Sequence, residues 1–170
     1  MSRSRYCNTP FPAYRFIPGE NPHPLKEGGH MFLSGEPKVE KIIISDKTSH
    51  IHFLYSLDLF NHGFYWESHC WLEAIWNAHE RTGDIALLSQ GIIKLAAAAI
   101  KIKMNQKKVS LDHLNRAYEL FSQIKESNLV GINMNKLLNL KNLFSEDIEN
   151  YDLTKKSDYV FSEIIKYNWP

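Results

Sequence analysis

The chain has 170 residues, 44% of them apolar and 12% aromatic, with 20 basic against 19 acidic side chains and a net charge of +1. That length suits one domain with a real core and excludes general disorder. The balanced charge argues against a broad nucleic-acid surface, which needs a basic excess or stripe.

The first 37 residues hold six of the seven prolines and four of the eight glycines. This composition excludes a helix, while Phe11, Tyr14, Phe16, Ile17, Met31 and Phe32 are too many large apolar side chains for a free linker. We read residues 1–48 as an irregular arm pinned onto the rest. The N-terminus lacks the continuous apolar stretch of a secretory signal, and Cys7 and Cys70 are far apart in sequence. A reduced, cytoplasmic protein with free thiols is the expectation. Val39–Ser45, with its β-branched run, is predicted as one short strand. Tyr159–Trp169 either pairs with it or forms a last helix.

From about His50 the apolar period becomes helical. A first helix ends at Asn61-His62-Gly63, and a second runs from Tyr65 to about Glu80. Thr82-Gly83 breaks the chain, and Asp84 is placed as the N-cap of a third helix reaching Met104. Its most apolar part, Gly91–Ile102, falls short of the ~20 residues of a membrane span. Gly91 and Ala96–Ala99 allow close approach, so this helix is placed centrally, against the second. Ser110 is read as the cap of a fourth helix, and Asn133–Glu149 as a fifth. The prediction is an all-α single domain, 1–170: an arm (1–48), a compact antiparallel bundle of four to five helices (49–150) and a packed tail (151–170).

Leu59–Trp76 concentrates one Asn, two His, two Glu and three Trp in a helical region. Buried polar groups require partners, so these residues are candidates for a site. His69 and Glu73 lie one turn apart, with Trp66, Leu72 and Trp76 on the same face; Glu67 and Trp71 point to the opposite side. A His and a Glu so spaced form an acid/base pair, two ligands of one metal ion, or a satisfied pair within the core. On that basis His69, Glu73 and Glu67 are the catalytic candidates. His23, held between two prolines, and His30, after two glycines, are placed to join them if the arm folds over. His30 is the more readily read as a solvent-exposed loop residue. With Asn61, Tyr65, Trp66, Trp76 and Lys94 these two complete the ligand-binding candidates. A divalent metal would be held by His69, Glu73 and His23. His50, His52, His79 and His113 read as ordinary helix or surface residues, and nothing near Cys70 favours a thiolate.

Three ordered motifs also carry a resemblance. Arg15-Phe16-Ile17-Pro18-Gly19 with Pro22-His23-Pro24 and Gly29-His30, then Leu59–His69 with Glu73 and Trp76, then Gln90–Ala98, resemble the family of domain of unknown function 309 over residues 14–125. The resemblance implies a compact helical bundle and a predicted metal-dependent hydrolase. The chain departs at Cys70, where the family usually places a Glu. Two functions follow as alternatives. One is a non-catalytic binding or scaffold module using a His/Glu site. The other is a small-substrate hydrolase using His69 and Glu73. A small-molecule ligand is compatible with both, neither nucleic acid nor membrane is expected, and the aromatic surplus is compatible with a homodimer.

Overall fold

A computed structural model describes residues 3–169. Six α-helices carry most of the described structure. Helix α1 spans Ile51–Asn61, after a 3-10 turn at Lys47–His50; α2 is Tyr65–Ala78; α3 is Gly83–Lys103; α4 is Lys107–Phe121; α5 is Met134–Asn139; α6 is Lys141–Glu149. The expected fifth helix is thus divided at Leu140 into α5 and α6, giving six in all. The all-α bundle with an irregular arm is the observed class; the strands β1 (Asn128–Leu129) and β2 (Ile132–Asn133) make only a two-residue hairpin.

Helix α3 is the centre, packed against α2 on one side and α4 on the other. Its small residues decide this: a Cβ on Gly91 would come within 2.2 Å of the Phe121 ring of α4, so the two helices meet at the glycine. Ala96, Ala98 and Ala99 are fully buried beside it. By length and composition this 21-residue helix could cross a membrane, but 61% of its most apolar window is buried within the fold, which is how a core helix behaves. Hydroxyls stitch the layers together. Ser68 donates to Ser56 O across α1–α2 (2.8 Å) and Ser110 to Ala98 O across α3–α4 (2.7 Å). Ser110 therefore lies inside α4 as a cross-helix bond rather than at its cap. Asp84 lies in the first turn of α3, whose N-cap is Thr82.

The predicted strand at Val39–Ser45 does not form. Its donors are taken by side chains instead: Ile42 N–H by His79 Nε2 (2.9 Å) and Ile43 N–H by Ser49 Oγ (2.9 Å). The tail forms neither a last helix nor a partner for that segment. It runs as coil, and Tyr167 makes an isolated bridge to Ile132 of β2.

Candidate functional site

Four polar residues of α1 and α2, Asp58, Asn61, Tyr65 and Glu67, bind the two irregular ends of the chain. Asp58, fully buried, accepts from Tyr6 N–H (2.8 Å), Cys7 N–H (3.1 Å) and Arg5 Nε (3.3 Å). Asn61 donates to Ile165 O and accepts from Ile165 N–H, both at 2.9 Å. The Tyr65 hydroxyl accepts Val160 N–H (2.9 Å). Burial drives the pKa of that hydroxyl up to about 12, so it stays neutral. Asn61 and Tyr65, expected to bind a ligand, are therefore anchors for the tail. A helix that must hold coil needs acceptors and donors in its buried face, because the coil's own backbone groups are otherwise unpaired.

Glu67 does the same for the arm, and more. Its Oε1 accepts Phe16 N–H (2.8 Å) and His30 Nε2–H (2.8 Å). The two side chains are 2% and 7% exposed. The other carboxylate oxygen, Oε2, is buried with no hydrogen-bond partner among the described residues. Burial raises the Glu67 pKa, against the opposing pull of His30 and the Phe16 N–H. Gly29 makes this approach possible: a Cβ there would lie 2.2 Å from His23 O. So His30, read from sequence as the more readily exposed of the two arm histidines, is the buried one.

Glu67 and His30 stand at the wall of a cleft of about 520 Å³ between the arm and the α1–α2 pair. Tyr55 of α1 and Trp71 of α2 line it with Phe11, Met31, Glu36 and Lys38. The Tyr55 and Trp71 rings meet edge-to-face, 5.3 Å apart at 83°. Tyr55 donates to Pro10 O (2.8 Å), and burial pushes its pKa up to about 12.

The His69–Glu73 pair lies elsewhere. The two groups are 3.6 Å apart, beyond a direct hydrogen bond, and their side chains are 34% and 48% exposed, so they are not a satisfied pair within the core. Burial lowers the His69 pKa, Glu73 partly offsets this, and Lys94 adds to it. Lys94 is half-buried beside that pair, not in the cleft. His23 is exposed and packs edge-on against Phe16 and Trp66, with Nδ1 accepting Leu25 N–H (3.2 Å). Trp66 thus serves as a bearing for the arm, and Trp76 is covered by the Arg81 guanidinium, 4.7 Å from its ring. Burial pushes the Cys70 thiol up, away from any thiolate. His50, read as an ordinary helix or surface residue, is fully buried, held between Ile43 O and the Tyr167 hydroxyl and packed on Trp169.

The proposed ligand set of His69, Glu73 and His23 does not converge, and among the described residues no group of three or more His, Cys, Asp or Glu side chains is arranged to hold a metal ion. His30 and Glu67 offer only two donors, and Glu67 Oε1 is already shared by two hydrogen bonds. This donor set does not fit a metal centre.

Residues 53–112, from α1 into α4, match the model of the family described as Domain of unknown function (DUF309). The match covers 60 of the 170 residues. No curated protein and no solved structure matches the chain. The matched segment contributes Tyr55, Glu67 and Trp71 to the cleft, while His30 and Phe11 come from the arm before it. Glu67 is a catalytic candidate from the sequence, but on the helix side opposite His69 and Glu73, and Tyr55 is not among the candidates. Glu67 and Trp71 are four residues apart, the helical spacing that puts them on one face. Nothing in the sequence ties Tyr55 to them.

Proposed function

We propose that the helical bundle and its arm together form a small-molecule binding protein, with the Glu67–His30 cleft as its ligand site. The observation that carries this reading is the cleft itself, about 520 Å³ between the arm and the α1–α2 pair, where the rings of Tyr55 and Trp71 stand beside the His30–Glu67 pair. Ligand pockets join apolar walls to a few placed polar groups, and this cleft has that form. The role is binding rather than catalysis: the closest His–carboxylate pair is occupied in holding the arm, and the exposed His69–Glu73 pair lines no part of the cleft. Neither nucleic acid nor membrane is a partner in this reading.

A fragment screen by NMR tests it. Chemical-shift changes from bound fragments should centre on His30, Tyr55, Glu67 and Trp71. Hits that map consistently to another surface would overturn the assignment. One observation favours hydrolysis as a second reading. Glu67, its pKa raised, touches His30, and such a pair can pass a proton. Turnover of small ester or amide substrates that Glu67→Gln abolishes, with the variant still folded, would establish that reading instead.

A further inference from the structure

A second cleft, of about 600 Å³, opens between the arm, the end of α3 and the tail. It shares no lining residue with the cleft beside Glu67. Lys103, the last residue of α3, is half-buried there. Its Nζ donates to Ser157 O (2.7 Å), a carbonyl that also accepts the Tyr151 hydroxyl (2.9 Å). Ser157 and Tyr151 both line the cleft, and so do the three charged groups that act on Lys103, namely Asp158, Arg15 and Glu20. The ammonium therefore stands at the cleft wall. It carries three N–H donors. Among the described residues only the Ser157 carbonyl takes one, and no carboxylate lies within ion-pairing distance. Burial lowers the Lys103 pKa, Asp158 and Glu20 oppose this, and Arg15 adds to it. A lysine starts from about 10.4, so the ammonium remains the form at neutral pH.

The arm supplies another donor. Asn21 spends its Oδ1 on Ile17 N–H (3.0 Å), which leaves its side-chain NH₂ without a partner among the described residues. The carboxylates of the cleft are the more exposed groups. Asp158 is 57% exposed and lies 3.4 Å from Arg15 Nη1, and Glu20 is exposed. From this arrangement we infer that the second cleft is an anion site, taking a small carboxylate or phosphate whose oxygens accept from Lys103 Nζ and the Asn21 amide. A half-buried ammonium has given up water that one carbonyl only partly replaces. Hydrogen bonds from a cation to an oxyanion are the strong ones and make up that loss. A cationic ligand would meet Lys103 and Arg15, and an apolar one would leave the remaining ammonium N–H groups unpaired. This site and the one proposed beside Glu67 stand or fall separately.

The test titrates the full chain with sodium phosphate, sodium malonate and butylammonium chloride at constant ionic strength, read by NMR at the Lys103 ε-methylene and the Asn21 side-chain amide. Phosphate and malonate should move both signals to saturation, and butylammonium should move neither. Lys103→Gln keeps a donor for Ser157 O and removes the charge, and it should weaken phosphate about fivefold or more, read at Asn21. Lys38→Gln, at the other cleft, should leave phosphate binding unchanged. Should Lys103→Gln fail to fold, Glu20→Gln provides the check, because loss of an exposed like charge should tighten phosphate about two- to threefold. Shifts that are absent with both anions, or that never saturate, would overturn the site. So would butylammonium moving the signals as phosphate does, or Lys38→Gln weakening phosphate as Lys103→Gln does. Lys103→Gln binding phosphate as the wild type does would overturn it too, as would, where that variant is unfolded, an unchanged affinity of Glu20→Gln.

Discussion

Asn61 and Ile165 stand 104 residues apart in sequence and exchange two buried hydrogen bonds of 2.9 Å, the side-chain amide of one matching the backbone of the other. The amide copies the donor–acceptor pair that a neighbouring strand would offer, so the tail is held without a sheet. Asn61→Asp replaces the donating NH₂ by an oxygen facing Ile165 O. We expect a loss of roughly 1–3 kcal/mol, the cost of a buried unpaired group. The tail should also become the first site of proteolysis. Limited digestion with mass spectrometry checks this, and cleavage at wild-type rates around residues 158–168 would contradict it.

Glu67 holds the arm through Phe16 and His30, so Glu67→Ala should cost roughly 1–3 kcal/mol by leaving two donors unpaired. Glu67→Gln keeps an acceptor oxygen for them and should cost less. The sign of its pH dependence follows from the raised pKa. A raised carboxyl pKa contributes stability below the unfolded value, about 4.5, and loses it as pH rises through the folded value. The Tm of Glu67→Gln relative to wild type should therefore improve from pH 4 to pH 7. A difference that does not change with pH would show that Glu67 titrates normally.

Gly29→Ala places a methyl group 2.2 Å from His23 O and 2.3 Å from Pro24 O, both backbone atoms that cannot swing aside. The arm should lift locally and carry His30 off Glu67. The measurement is the His30 imidazole shift by NMR. An unchanged His30 signal together with unchanged arm proteolysis would mean that the turn absorbs the methyl group.

The His69–Glu73 pair is exposed, and pairs of this kind contribute about 0.3–0.5 kcal/mol in helices. Glu73→Gln should move the Tm little. The folded pKa values of His69, His79 and His113 all lie below the ordinary imidazole value, mainly through burial. The unfolded chain takes up these protons first, near pH 6.5. Stability is thus complete above that pH and declines as pH falls through it toward the folded values. His69→Gln removes one of the three contributions, so the fall in Tm from pH 7 to pH 5 should be shallower. A steeper fall would reverse the sign assigned to His69.

Gly91→Ala drives a Cβ to 2.2 Å from the Phe121 ring at the α3–α4 contact. Overpacking of this kind costs typically 1–3 kcal/mol. Chemical denaturation should show the midpoint falling with little change in slope. An unaffected midpoint would mean that Phe121 has room to turn.

The helical class of this protein was legible in its sequence because the 3.6-residue apolar period is a local property, written into each segment from Ile51 to Phe121. Gly63, with its positive φ of 83°, ends α1 where the motif Asn61-His62-Gly63 predicts, since the need for a left-handed residue is also local. The small residues of α3 announced close packing for the same reason. What the sequence could not assign is the partner of each polar side chain. Val39–Ser45 has strand-forming residues but meets no strand, because its donors turn to His79 and Ser49. His69 and Glu73 share a helix face, yet that face is partly open to water. Glu67 points the other way, into the arm, and finds His30 from 37 residues upstream. Periodicity fixes which side chains point together along one helix. Only the path of the arm, set by turns such as the close one at Gly29, decides which face is covered and so which carboxylate loses its water.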